Sequence, residues 1–250
     1  LGYPLVVVVP NRLGAINQAL QTLITAATFR DGLPIAGLVL ALRPIVGGVD
    51  AERVAIAVAP MLPLLLLLFS VTLIVRRLID SRAYPLAFVA FFFAYSCIGM
   101  FMPARIDHHG WQLALLALAM AGMADPVRAR GGAVTGLASA LSLAIGLEML
   151  IYLAIAGVAM VLFWVWDRDE RGRLSAYAAS LGGGTAMSFL LFASYANRAP
   201  ICDALSPVWL SDALLGSALL LGMAMHSPAN WKRRLALAMG AGVAVATFHA

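Results

Sequence analysis

The sequence predicts an all-α protein, a polytopic transmembrane helix bundle of about eight or nine spans. Hydrophobic residues make up 62% of the chain, charged residues only 12%, and the mean hydropathy is +0.92. A soluble domain averages about 45–50% apolar and about 25% charged residues. The apolar residues form long runs and not the alternating ten-residue segments of a membrane β-barrel, so we predict that the runs are helices.

Nine apolar runs are candidate spans. A helix needs about 20 apolar residues to cross a hydrocarbon core of about 30 Å, and fewer where the bilayer thins. Residues 1–32 form a poorly defined N-terminal segment, and the start at Leu1 indicates a fragment. The remaining residues, 33–250, form one predicted transmembrane domain with spans at 33–49, 54–75, 84–102, 110–124, 133–147, 149–166, 175–193, 208–224 and 234–250.

Basic residues are concentrated in four short loops. Lys and Arg in short loops mark the cytoplasmic side of a membrane protein, so the net charge of +5 does not indicate nucleic-acid binding. We predict an integral protein of a bacterial inner membrane, with the other loops facing the periplasm. The four loops hold eleven of the seventeen basic residues: Arg76, Arg77 and Arg82; Arg128 and Arg130; Arg168, Arg171 and Arg173; Lys232, Arg233 and Arg234.

The stretch 133–166 contains a single charged residue, Glu148. As one helix, its 34 residues would be about 50 Å long at about 1.5 Å per residue. Arg-rich loops flank the stretch on both sides, so it must cross the bilayer an even number of times. We therefore predict a hairpin of two short helices that turns near 146–148. Glu148 then lies on the outer side, with Asp107 and the 194–207 loop.

The polar stretch 105–112 reads Arg-Ile-Asp-His-His-Gly-Trp-Gln and lies between two apolar runs. Charged groups are costly near hydrocarbon, so such a cluster is a candidate functional site. The spacing of Asp107 and His109 lets both side chains point the same way in a loop. Together they form half of a site for Mn²⁺ or Mg²⁺, or for Zn²⁺ with a third nitrogen ligand. Alternatively, Asp107 caps a helix that starts at His108, or forms a solvated ion pair with Arg105.

Three further charged residues are predicted on the outer side. Glu148 is an isolated acid in an apolar stretch, and is either functional or a polar turn residue at the water boundary. Arg198 and Asp203 lie in the 194–207 loop, and are either substrate-binding or ordinary solvated charges. The three outer elements are thus candidates to converge on one site.

The Arg-x-Asp-His-His loop, followed by a short helix and Arg-rich turns, resembles the catalytic subunits of oligosaccharyltransferases, above all the archaeal type. These belong to the GT-C class of membrane glycosyltransferases. The resemblance covers roughly residues 33–250. In it, residues 145–152 occupy the place of the family's Trp-Gly-Gly-Tyr helix start, and the 202–207 loop is similar to that of bacterial members. The sequence lacks the family's Trp-Trp-Asp motif, and 1–32 offers no counterpart to its first-outer-loop acid.

The resemblance implies transfer of a sugar or oligosaccharide from a polyprenyl-phosphate-linked donor at the outer face. It assigns a divalent cation, Mn²⁺ or Mg²⁺, to Asp107 and His109, where it would stabilise the leaving phosphate. Arg105, Arg198 and Asp203 would bind substrate, the two arginines through the phosphate. Glu148 would be a third metal ligand, the base for the acceptor, or neither. The sequence does not identify the acceptor, for which a lipid or another glycan would be candidates.

Three other classes of function remain open from the sequence. A transporter also carries acids inside the membrane, but often shows inverted repeats and broken helices. A membrane acyltransferase uses a His-Asp pair, in the reverse order of Asp107 and His108. A non-catalytic membrane scaffold would need none of these residues.

Overall fold

The computed structural model describes residues 32–103, 105, 108–193, 198–200 and 204–248, with side chains from residue 37 onward. Its regular elements within these ranges are all helical, which confirms the predicted all-α class. The helices are α1 (Gly32–Val46), α2 (Gly48–Val58), α3 (Met61–Leu78), α4 (Pro85–Phe93), α5 (Tyr95–Ile98), α6 (His109–Met123), α7 (Arg128–Ile145), α8 (Leu150–Trp166), α9 (Arg171–Phe192), α10 (Pro207–His226) and α11 (Trp231–Ala246). Short 3-10 turns occupy Gly99–Phe101 and Arg168–Glu170.

The helix boundaries near the N-terminal end differ from the predicted spans. Gly47 separates α1 from α2 with φ of 88°, a conformation that glycine adopts without steric cost. Pro60 separates α2 from α3, because proline has no N–H to donate to the preceding turn. The predicted span 84–102 is interrupted at Ala94, whose φ of −83° and ψ of 63° match an inverse γ-turn.

Two described stretches are long and apolar enough to cross a membrane, Gly48–Leu78 and Pro207–His226. Length and composition are weak support for membrane association, because a core helix of a soluble protein passes the same test. Large apolar side chains that are highly exposed also give weak support for membrane association. Phe93 is 78% exposed, Trp166 90% and Leu190 77%.

The chain turns between α7 and α8 where the sequence predicted a turn, at residues 146–149. The ion pair of 2.9 Å between Arg128, at the start of α7, and Asp167, just after α8, brings these two ends together. The two helices therefore run in opposite directions. The pair is therefore a hairpin.

Small residues allow α7 and α9 to approach each other more closely than any other helix pair in the described part of the chain. A Cβ at Gly132 would lie 3.0 Å from the backbone nitrogen of Tyr177, and a Cβ at Gly136 would lie 2.9 Å from that of Leu181. The contacts advance in the same direction along both helices, so α7 and α9 are parallel. Backbones this close leave no room for larger side chains at these positions.

The four basic loops meet at one end of the bundle. The sequence predicted that all four lie on the same side, and the structure agrees with that prediction. Arg77 at the end of α3 contacts Asp125 at 2.7 Å, and Arg173 of α9 donates to the Asp125 carbonyl at 2.9 Å. Arg168 donates to the Ser227 carbonyl at 2.8 Å. Arg234 of α11 donates to the Val165 carbonyl at 2.8 Å. We call this set of contacts the basic end.

Candidate functional site

A polar cluster lies at the opposite end of α6, α7 and α8 from the basic end. Glu148, in the turn between α7 and α8, places Oε1 3.0 Å from Nε2 of His108. Its other oxygen, Oε2, accepts a hydrogen bond from Nε2 of Gln112. The cluster thus joins the polar stretch 105–112 to the isolated acid of the apolar hairpin.

Local structure explains why these side chains meet. His108 immediately precedes α6 and Gln112 lies one turn further on, so both lie on one face of that helix start. Gly146 provides the space for Glu148, because a Cβ there would lie 2.6 Å from the Gln112 amide nitrogen and would contact the Glu148 carboxylate. A larger residue at 146 would therefore displace the cluster.

His109 is the first residue of α6 and is half-buried. Its ring stacks on that of His108, with centroids 4.4 Å apart and an interplanar angle of 26°. The two imidazoles and Glu148 therefore form one continuous polar patch.

Opposing effects set the pKa of the Glu148 carboxyl. Burial raises the pKa, whereas hydrogen bonds from its own backbone N–H, from His108 and from Gln112 lower it. The hydrogen bonds prevail, and the pKa lies below its usual value. Glu148 is therefore a carboxylate at neutral pH, as a metal ligand or a general base must be.

The remaining predicted site residues are placed as follows. Asp107 and Asp203 lie outside the described residues. Arg105 is exposed and donates a hydrogen bond of 2.9 Å to the Gly99 carbonyl. Arg198 is exposed, and within the described ranges no hydrogen bond or ion pair joins it to the cluster.

Gln112 was not predicted as a site residue, although it closes the predicted stretch. Its side chain is fully buried, and its Oε1 has no hydrogen-bond partner among the described residues. The signal in the sequence was its spacing: His108 and Gln112 are four residues apart, which places both on one side of a helix.

The cluster contains the donor types of a divalent-cation site. Imidazole nitrogen and carboxylate oxygen suit Mn²⁺ or Zn²⁺, and His108 and Glu148 supply one of each, 3.0 Å apart. Within the described ranges, no group of three or more His, Cys, Asp or Glu side chains is arranged to hold a metal ion. A third ligand from Asp107 would come from outside those ranges.

Compared with known proteins, the chain matches no family model, no curated protein and no solved structure.

Proposed function

We propose that this protein is a membrane glycosyltransferase that takes a sugar or oligosaccharide from a polyprenyl-phosphate-linked donor. The observation that carries the proposal is the contact of His108 with Glu148, from segments forty residues apart. It joins the Arg-x-Asp-His-His loop, on which the resemblance to the GT-C class rests, to the isolated acid of the hairpin.

A membrane location is supported by the two long apolar stretches and the exposed apolar side chains described above. The basic end then faces the cytoplasm and the cluster faces the periplasm. A site at the water boundary suits a lipid-linked donor, because the lipid tail stays in the bilayer while its phosphate meets water.

The residues have separate roles in this proposal. Glu148 accepts the proton of the acceptor hydroxyl or acts as a metal ligand, and His108 and Gln112 hold its two oxygens in place. Arg105, the first residue of the Arg-x-Asp-His-His loop, or Arg198 binds the donor phosphate, and Asp203 contacts another part of the substrate. A divalent cation held by Asp107, His109 and Glu148 would supply Lewis-acid stabilisation of the leaving phosphate.

The test is a transfer assay on purified protein in lipid nanodiscs, with a polyprenyl-phosphate-linked sugar and short glycan or lipid acceptors. We expect Glu148→Gln to lower kcat by about 10²–10⁴-fold, the usual contribution of a general base. Glu52→Gln is the matched control, because Glu52 is an exposed acid on α2. A Glu148→Gln rate equal to that of the wild type would contradict the assignment.

A transporter is the second candidate, and buried polar atoms favour it. Gln112 Oε1, Ser142 Oγ, Thr185 Oγ1 and Ser217 Oγ are buried without a partner in the part of the chain that the structure describes. They lie on four different helices, and polar groups inside a membrane bundle mark solute or proton pathways. Solute flux into proteoliposomes that is lowered by the isosteric Thr185→Val, together with no sugar transfer, would favour this candidate.

A further inference from the structure

Two buried polar side chains, Gln112 on α6 and Ser142 on α7, lie just inside the bundle from Glu148. Both are 0% exposed. Among the residues that the structure describes, Gln112 Oε1 and Ser142 Oγ have no hydrogen-bond partner. An unpaired buried oxygen destabilises a fold, and ordered water usually satisfies it. These two oxygens therefore point to a polar ligand between the helices.

The contacts between α6 and α7 place Gln112 opposite Ser142. The two helices run antiparallel, and their facing positions are Gly122 with Gly131, Ala119 with Thr135, Leu115 with Ala138, and Gln112 with Gly146. Ser142 lies on the same face of α7, midway between Ala138 and Gly146 and about 6 Å from each along the helix axis. A Cβ at Gly146 would lie 2.6 Å from the Gln112 amide nitrogen. The two unpaired oxygens are therefore within reach of one bridging water, which joins atoms about 5–6 Å apart.

The orientation of the Gln112 amide gives this site a role. Gln112 Nε2 donates a hydrogen bond to Glu148 Oε2. With the amide reversed, its oxygen would face the carboxylate and two acceptors would meet. A donor to Gln112 Oε1 holds the amide in the orientation that this hydrogen bond requires. The Ser142 hydroxyl can supply that donor through a water, because a hydroxyl both donates and accepts.

We propose that Gln112 and Ser142 bind one water molecule between α6 and α7, and that Ser142 acts through this water as a positioning residue for Glu148. The water donates one hydrogen to Gln112 Oε1 and accepts one from the Ser142 hydroxyl. Water is the ligand selected because both partners are neutral and the two helices pack closely. A Cβ at Gly122, in the same interface, would lie 2.9 Å from the Gly131 carbonyl oxygen.

The water site and its role can be tested separately. The positioning role rests on the proposed sugar transfer, in which Glu148 acts on the acceptor or holds the metal. The water site needs only the packing of α6 against α7. It also differs from a transport path, which would need Thr185 and Ser217 on other helices as well.

Solid-state nuclear magnetic resonance of the full chain in lipid bilayers tests the water site. The chain has three glutamines, Gln18, Gln21 and Gln112, so isotope-labelled glutamine gives three side-chain amide signals, and Gln112→Met identifies the one from Gln112. In the wild type we expect fast magnetisation transfer from water to the Gln112 amide, although this side chain is fully buried. Ser142→Ala should abolish the fast magnetisation transfer, because the water loses one of its two partners.

Ser139→Ala and Thr185→Val are the matched controls. Ser139 is buried on the same helix as Ser142, but its hydroxyl already donates to the Thr135 carbonyl at 2.8 Å. Thr185 is buried on α9, away from the α6–α7 interface. Both variants should keep the fast magnetisation transfer. Equal magnetisation transfer in the wild type and Ser142→Ala, or its loss in either control, would overturn the water site.

The sugar-transfer assay tests the positioning role. Ser142→Ala should lower kcat by about 10–100-fold, the usual effect of a residue that orients a functional group, and leave the KM for the lipid-linked donor unchanged. Ser139→Ala should leave both constants unchanged. Loss of the fast magnetisation transfer without a change in kcat would contradict the role given to Ser142. Absence of sugar transfer by the wild type would contradict the proposed function and with it the positioning role, whereas magnetic resonance would still decide the water site.

Discussion

At the residue scale, Asp125 is the most buried acid among the ion pairs in the described part of the chain. Its carboxylate is 2% exposed and contacts Arg77 at 2.7 Å and Arg130 at 2.8 Å through two nitrogens. The Val127 backbone N–H donates to it as well, at 2.8 Å. One buried acid therefore ties the end of α3 to the start of α7.

Replacing this acid should destabilise the protein. We expect Asp125→Asn to lower the free energy of unfolding by about 2–3 kcal/mol, because hydrogen bonds to a charged group are lost in a buried site. Denaturation in detergent, followed by circular dichroism, measures the change. Asp50→Asn is the control, since the Asp50–Arg53 pair is exposed and should contribute about 0–1 kcal/mol. Equal effects of the two substitutions would contradict the role given to Asp125.

The same acid predicts a pH dependence of stability. The hydrogen bond from Arg130 lowers the pKa of Asp125 below its ordinary value of 3.8, burial opposes this, and Val127 and Arg77 lower it further. A lowered pKa in the folded state contributes stability that is present above the ordinary pKa and is lost as pH falls through the lowered one. The wild type should therefore lose its advantage over Asp125→Asn below about pH 4 in thermal unfolding. A stability difference that stays constant down to the acid limit would contradict this linkage.

The metal assignment is also a residue-scale prediction. Asp107→Ala or His109→Ala should abolish Mn²⁺ binding in isothermal titration calorimetry, a larger loss than the about 10–100-fold typical of outer-shell partners. His226→Ala is the control, because His226 is exposed at the end of α10, toward the basic end. Unchanged affinity in both ligand variants would rule out the site.

Part of the site could be predicted from residue types alone. An isolated acid in an apolar stretch directs attention to Glu148, and a His-His pair beside an acid directs attention to 107–109. The residue that contacts Glu148 is His108, whereas the spacing argument concerned only Asp107 and His109 as a metal pair and named no partner for Glu148. Spacing along the chain does not fix which ring turns toward a residue forty positions away.

At the element scale, the close packing of α7 against α9 depends on glycines in α7. We expect Gly136→Ala to destabilise the protein by about 1–3 kcal/mol, because a Cβ there would meet the α9 backbone, which cannot move aside easily. Gly183→Ala should stabilise it by about 0.5–1 kcal/mol, since no atom lies within 4 Å and alanine favours helix. Unfolding in detergent measures both, and a shift of the same sign in the two variants would contradict the packing argument.

Helix boundaries could be predicted where charge or proline marks them. The turn at 146–149 follows from two flanking Arg-rich loops, which require an even number of crossings. The break at Ala94 could not be predicted, because residues 86–98 contain no glycine or proline that would mark it. Nor did the pattern reveal that Asp125 meets Arg77, because ionic contacts between distant helices depend on packing.

At the scale of the whole molecule, the proposed topology places the two ends of the bundle on opposite sides of a membrane. With Cys97 and Cys202 replaced by serine, single cysteines at Arg105 and Glu148 should react with an impermeant maleimide from the periplasmic side. Cysteines at Arg82, Arg171 and Arg233 should react only after the cytoplasmic side is opened. Position 148 reacting together with position 82 would contradict the hairpin topology.

The arginines of the basic end would have two uses in succession, first in orienting the new chain and then in packing the folded one. In the proposed topology, before the helices pack, the charges of Arg128, Arg173 and Arg234 would hold their loops on one side of the membrane. In the folded chain the same guanidinium groups are engaged by the Glu170 carboxylate and by carbonyls at the ends of α6 and α8. In that topology, orientation and assembly would use one set of groups in succession. Arg234→Lys would keep the charge that orients α11 but lose the planar fork that reaches several carbonyls, so insertion would be retained while packing is weakened.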